Sequence, residues 1–302
     1  MICQRISLAL GGGGARGVAH LGVMEGLLRS GLEIERLAGI SIGSLAGALY
    51  AFDPDIRRVQ RQILEYLASS AFQQHQRRLL GSHGPGKKHA LERESWWLRL
   101  TSFLRANSFC RQMLRNSSLL AGDVLRHACD SLLPDADIAS ARIPLSIVAV
   151  DLLEGVPVIL ENGPVRGAVR ASASIPGVFP PVEFDGRLLC DIGVLNSLPT
   201  LVSRTYQTGC WVAVDVSSAL QPIATCPTAV DVLMRINDIG ENMFRRHVSN
   251  VADLIIRPDV GDIPWFDFSA PSRLIERGRE AVLRALPRIR ERCCAPSSIR
   301  VA

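Results

Sequence analysis

At 302 residues, 47% hydrophobic and 21% charged, with a net charge of +5, the chain has globular composition and the length of one large α/β domain or two small ones. Disorder is excluded as the default. A spanning helix, which needs about eighteen apolar residues or more, is also excluded: residues 143–160, the best candidate, contain Pro144, Asp151, Glu154 and Pro157. The opening Met1-Ile2-Cys3-Gln4-Arg5-Ile6 has no basic stretch ahead of a long apolar one, so no secretory signal is expected. The expected location is the cytoplasm, either free or peripheral at a membrane. Eight cysteines and six histidines are scattered without Cys-x-x-Cys or His-Glu-x-x-His spacing, which predicts reduced thiols and neither a metal site nor a cofactor.

In chain order, Arg5 to Leu10 reads as a short strand running into Gly11-Gly12-Gly13-Gly14-Ala15-Arg16-Gly17. A helix follows from Val18 to Arg29 and stops at Gly31. Such a loop offers successive backbone N–H groups and a helix N-terminus to negative charge. Gly12-x-Gly14-x-x-Gly17 satisfies a dinucleotide fingerprint, but the acidic residue expected at the end of the next strand is replaced by Ser41. A phosphate-binding P-loop fails because Val18-Ala19 follows Gly17. An oxyanion role for Gly12, Gly13, Gly14, Arg16 and Gly17 fits best, with Arg16 either lending charge or, as favoured, holding the loop's shape. The second strand ends in Gly39-Ile40-Ser41-Ile42-Gly43 and turns into a helix. Gly39 and Gly43 would let strand and helix approach closely around a nucleophile elbow at Ser41.

From Ala51 to Leu145 the pattern becomes helical and basic. Residues 57–115 hold twelve Lys or Arg against three acids, a balance of +9, so the rest of the chain carries −4. Trp97, Leu100 and Leu104 share one helical face, suited to reversible contact with an anionic membrane surface, or to packing the insert on the core. Strands resume at 143–151, 156–160, 188–191 and 211–215, with a helical pattern at 274–285. The expected fold is a three-layer α/β/α sandwich with a largely parallel central sheet. Asp151, Asp191 and Asp215 each close a strand, and pattern alone does not choose among them. His247 is the one histidine far enough downstream for a triad, but it lies in a basic helical stretch, and His20 reads as structural.

Several motifs together resemble the patatin-like phospholipases, particularly bacterial members. They are Gly12 to Gly17 with Val18-Ala19-His20-Leu21-Gly22, Gly39 to Gly43, Val169 to Pro181, Asp191-Ile192-Gly193 and Ile255 to Asp259. The resemblance implies a single catalytic domain over 1–302, with its core at about 6–287 and a basic helical insert at about 70–131. It implies a Ser41/Asp191 dyad without histidine, acting on esters of lipids or other carboxylic esters, with no nucleic-acid partner. The family's Asp-Gly-Gly or Asp-Gly-Ala is altered here, with Ile192 in the first glycine position. If that glycine supplies positive φ, which a β-branched residue adopts poorly, Asp191 is displaced; if it supplies space, Ile192 narrows the site. The alternative function is therefore a catalytically weak regulatory or binding protein that keeps the fold.

Overall fold

The computed structural model describes residues 4–80, 118, 120, 122–204, 206, 210–261 and 263–293. Its centre is an eight-stranded sheet in the order β5-β6-β3-β2-β1-β7-β8, with β4 on the remaining edge of β3. The strands are β1 (Gln4–Leu10), β2 (Leu32–Ile40), β3 (Leu145–Asp151), β4 (Val156–Leu160), β5 (Val182–Phe184), β6 (Arg187–Cys190), β7 (Cys210–Val214) and β8 (Leu254–Ile256). β1 runs parallel to β2 and β7, β2 parallel to β3, and β7 parallel to β8, whereas β4 and β6 are antiparallel to β3 and β5 to β6.

Side chains sort by strand alternation. Ile6, Leu8 and Leu10 of β1 and Val212 and Val214 of β7 enter the main core, while Ala9 and Ala213 face the opposite layer. The main layer is built from α1 (Ala19–Arg29), α2 (Ile42–Phe52), α3 (Ile56–Ala68), α6 (Val165–Ala173) and α9 (Pro271–Cys293). α4 (Ser70–Leu80) continues from α3, and α5 (Asp123–Leu132) packs on α3 and α6. α1 and α9 cross closely because Gly22 of one meets the Ile275 carbonyl, and Gly278 of the other meets the Ala19 carbonyl; a Cβ at either would collide with backbone. On the second face, α7 (Thr200–Arg204) and α8 (Ala229–Ser249) cover the small residues, with Leu198 and Val248 closing over Ala9 and Ala213. The result is the expected three-layer α/β/α fold with a mostly parallel sheet. Among the described residues no helix is long and apolar enough to cross a membrane.

One pairing positions the site. β2 pairs with Leu145 to Val148 of β3, and β4 pairs with Ile147 to Asp151, so these two occupy opposite edges. β6 pairs with Val150 and Asp151, where β4 already fills one edge, so β6 lies on the β2 edge and runs toward it. Ile40 stands level with Val148 and Cys190 with Val150. The next residues, Ser41 and Asp191, therefore leave the sheet facing each other.

The expectation of reduced thiols fails at one pair. Cys210, opening β7, and Cys293, closing α9, form a disulfide with Cα atoms 5.4 Å apart and a sequence separation of 83. No local spacing betrays a bridge between elements so distant in sequence. Cys129, Cys190 and Cys226 are free. Of the basic stretch, Lys87, Lys88 and the Trp97, Leu100 and Leu104 face lie outside the described residues. A bridge closing a loop of this length stabilises by about 4.5 kcal/mol in the chain-entropy account, so reductant should lower the melting temperature in calorimetry. Reactivity at Ser41 should persist below that temperature, because the bridge joins the amino end of β7 and the site lies beyond the carboxyl ends.

Candidate active site

Ser41 joins β2 to α2 with φ 55 and ψ −125, one of two non-glycine positive φ values among the described residues. Such a conformation costs about 1–3 kcal/mol and persists only where its surroundings over-determine it. Here the backbone is pinned from both sides. The Ser41 amide donates to Ser172 Oγ at 2.9 Å, and Ser172 Oγ itself donates to the Val148 carbonyl at 2.6 Å. The Ser41 carbonyl accepts from Ser44 Oγ at 2.6 Å and from the Ser44 amide at 2.9 Å. Gly39 and Gly43 permit the approach: a Cβ on Gly39 would stand 2.5 Å from Ser44 Cα, and one on Gly43 would stand 2.2 Å from the Leu10 carbonyl oxygen.

Of the three candidate aspartates, Asp191 alone lines the cleft with Ser41, and it alone feels the Ser41 side chain electrostatically. Its own amide donates to the Ser174 carbonyl at 2.9 Å, and its Oδ1 accepts from the Gly193 amide at 2.6 Å. Burial pushes its pKa up to about 6, with the Ser41 and Gly193 hydrogen bonds pulling the other way. Asp151 instead receives the amides of Leu153 and Glu154 in the β3–β4 turn. Burial would raise Asp215 too, but Arg245, Ser217 and Arg257 outweigh it and hold that carboxyl below its usual range. Arg245 and Arg257 lie 3.1 and 3.0 Å from Asp215 Oδ2.

Ile192 neither displaces Asp191 nor narrows the cleft. It is not among the positive-φ residues, and its side chain is buried with Ile40 and Val148. The glycine that geometry requires is the next one: a Cβ on Gly193 would stand 2.8 Å from Asp191 Oδ1.

The glycine loop lines the same cleft as Ser41 and Asp191. Gly12 donates its amide to the Ser197 carbonyl at 2.8 Å, and Ala15 donates to the Trp265 carbonyl at 2.5 Å. The amides of Gly13 and Gly14 make no such bond among the described residues, and both glycines line the cleft beside Ser41. Gly17 is the point of contact with Ile42, whose Cγ2 a Cβ would meet at 2.2 Å. Arg16 donates Nε to the Gly13 carbonyl at 3.1 Å and a terminal nitrogen to Ser218, which fits the shape-holding role. Burial and the neighbouring Arg245 lower its pKa to about 10, which leaves it charged at neutral pH.

His20 is fully buried with Nε2 2.8 Å from the Gly11 carbonyl. Burial lowers its pKa to about 4, so the neutral ring serves as a structural donor. His247 is exposed on α8 and does not line the cleft. The cleft is open to solvent, and its free space, solvent included, comes to about 690 Å³. Asn237, Asp238 and Glu241 of α8, with Trp265 from the segment before α9, form walls that sequence reasoning did not identify. Ser172 carries no sequence signal of its own, although it lies within the Val169 to Pro181 motif. No group of three or more His, Cys, Asp or Glu side chains suited to a metal occurs among the described residues. Chemically, the cleft brings together a hydroxyl at Ser41, a carboxyl at Asp191 and the backbone of the glycine loop.

A family model described as patatin-like phospholipase matches residues 8–203. The chain belongs to the patatin-like phospholipase family. An uncharacterised NTE family protein of Mycobacterium bovis is 33% identical over 195 residues, covering 65% of this chain and 44% of that protein. Another, of Mycobacterium tuberculosis, is 28% identical over 307 residues, covering 94% of this chain and 46% of that protein. The chain thus spans about half the length of these curated relatives or less. VipD from Legionella pneumophila aligns structurally with a TM-score of 0.47 at 14% identity, over 94% of this chain and 67% of its own. The patatin-like match contains Ser41, Ser172 and Asp191, whereas α8 and Trp265 lie beyond it.

Two contrasts test this patatin-like site. Ile192→Gly should cost about 3 kcal/mol of stability through lost burial without raising the rate at which a fluorophosphonate labels Ser41. Gly193→Ala should slow labelling with a smaller change in melting temperature, because the added methyl meets the Asp191 carboxylate. Separately, Ser172→Ala leaves the Ser41 amide without its buried acceptor, a loss of about 1–3 kcal/mol; labelling should slow even where thermal denaturation shows the variant folded.

Proposed function

We propose that the protein is a serine acyl-hydrolase that cleaves carboxylic ester bonds of lipids, in the manner of a phospholipase A or lysophospholipase. The observation that carries this reading is that Ser41 and a buried Asp191 line one cleft together with Gly13 and Gly14, whose amides make no backbone bond outside their own element among the described residues. Membership of the patatin-like phospholipase family supports the lipid substrate.

In this mechanism Ser41 Oγ attacks the ester carbonyl carbon as its proton passes to Asp191. The oxyanion forms against the Gly13 and Gly14 amides, where such a donor is worth about 10²–10³ in rate. Collapse of the intermediate expels the alcohol, which takes the proton back from Asp191. Water then attacks the acyl-enzyme, again giving its proton to Asp191, and that proton returns to Ser41 as the carboxylic acid leaves. Burial makes Asp191 a stronger base than a carboxylate at the reference value of ~3.9, yet with a pKa of about 6 it remains mostly ionised at neutral pH.

The weak-turnover alternative rests on Ile192, whose φ is not positive and whose side chain is buried with Ile40 and Val148, so no observation favours it. Contact of the 57–115 stretch with anionic membranes belongs to the same lipid reading. Within its described part, Arg58 is engaged with Asp53 and Asp55.

Ser41→Ala should abolish ester hydrolysis and fluorophosphonate labelling with the fold intact. Labelling that moves to another serine would refute the assignment. Asp191→Asn should cut turnover by about 10²–10⁴ and raise the melting temperature at neutral pH, since an amide pays no charge-burial cost. Turnover should fall as pH drops through about 6, because only ionised Asp191 accepts a proton. Its stability effect has the opposite slope: with a folded pKa above the ordinary carboxylate value, its contribution is fully present at lower pH and lost as pH rises through about 6.

A further inference from the structure

Helix α8, 21 residues long, is amphipathic in the reverse of the usual sense. A surface helix ordinarily turns its apolar stripe to the core and its polar face to water. In α8, Asn237, Asp238 and Glu241 line the cleft, Asn237 donates to the Val194 carbonyl at 3.1 Å, and Arg245 bridges Glu241 and Asp215. The stripe turned to solvent is Val232, Leu233, Ile236, Met243 and Phe244, with Leu233, Ile236 and Met243 exposed by 68%, 63% and 68%. These residues recur at three- and four-residue spacing along one face, so they are not single exposed side chains of the ordinary kind. Gly240 sits within the stripe, and a Cβ there would meet nothing within 4 Å, so open space continues along it. The 3-10 turn that follows Asp191 and helix α7 both pack against α8 and extend the apolar surface with Leu195 and Leu201, exposed by 54% and 47%.

We propose that this outward face of α8 seats the protein on an anionic lipid surface, so that the cleft opens against the bilayer. Position argues for this occupant: one helix forms both a wall of the cleft and the apolar stripe, so whatever covers the stripe lies within one helix diameter, ~10–12 Å, of the cleft. Charge argues for it as well. The acids of α8 (Asp231, Asp238 and Glu241) are buried or half-buried, whereas Arg246 is exposed, so the outward face presents apolar residues and positive charge. That combination is the one an interfacial helix uses on anionic headgroups. The choice of lipid rests on the proposed hydrolase activity, but the docking can be measured without catalysis.

The test compares the full chain with the triple variant Leu233→Ser, Ile236→Ser, Met243→Ser. It uses sedimentation with mixed phosphatidylcholine and phosphatidylglycerol vesicles, hydrolysis of vesicle phospholipid, hydrolysis of a water-soluble short-chain ester, and analytical ultracentrifugation. The variant should lose vesicle binding and vesicle hydrolysis at least tenfold while its soluble-ester rate and melting curve stay unchanged. Ile236→Trp should bind vesicles more tightly than the parent, and raising the salt concentration should weaken binding of both. Vesicle binding that is absent from the parent, or equal in the triple variant, overturns the proposal. A parent dimer that the triple variant converts to monomer without loss of vesicle binding also overturns it and makes the stripe a self-association face. If no protein hydrolyses any ester but the binding difference persists, the hydrolase reading fails and the docking face stands.

Discussion

Strands β2 and β6 meet head-on along one edge of β3, and the points at which they stop set the geometry between them. β2 ends level with Val148 and β6 level with Val150, so a single residue of β3 separates the two ends. Chains leaving the sheet there must turn away sharply. β2 does so through the positive φ of Ser41, and β6 through the 3-10 turn from Ile192 to Val194, which the Asp191 side chain caps. The adjacency of Ser41 and Asp191 therefore follows from strand register, with no long side chain reaching across a gap. The same end of α6 steadies both partners, since Ser172 Oγ takes the Ser41 amide and the Ser174 carbonyl takes the Asp191 amide.

Much of this was legible in the sequence because glycine marks close approach. Gly39 and Gly43 have no room for a Cβ, and their spacing around a serine announces a tight strand-to-helix turn. The choice among Asp151, Asp191 and Asp215 was not legible from pattern. All three end apolar strands, and what separates them is pairing between segments distant in the chain. Ile192 misled for a related reason: a family glycine suggests positive φ, but that turn needs none at residue 192, and the crowding falls on Gly193. α8 was illegible in a different way, since a 3.6-residue apolar period does not say whether the stripe faces a core or solvent.

The buried charges explain why Asp191 and Asp215, both nearly inaccessible, have opposite character. Asp215 is compensated by Arg245 and Arg257 and by the Ser217 hydroxyl, so it stays ionised and behaves as structure. Asp191 receives only a hydroxyl and an amide, too little to offset burial, and its pKa rises. In the proposed mechanism this difference in environment is what suits Asp191 to act as base and leaves Asp215 a framework group. The framework group also holds the loop at one remove: Asp215 fixes Arg245 and Ser217, and its charge helps keep the buried Arg16 protonated beside the Gly13 carbonyl.

That arrangement assigns a cost to each half of the site. The strained Ser41 backbone costs about 1–3 kcal/mol, and an uncompensated carboxylate costs more as pH rises. Neither is relieved locally, because relief at Ser41 would require α2 to shift from the Leu10 carbonyl that Gly43 already touches, and relief at Asp191 would require a cation in the cleft. Among the described residues the buried cations nearest the loop are committed elsewhere, Arg16 to Gly13 and Ser218, and Arg245 to Asp215 and Glu241. The main core beneath the sheet must therefore carry both costs. It is continuous from β8 through β1 to β4 on the face away from α8, which leaves the α8 face free to be polar toward the cleft and apolar toward solvent.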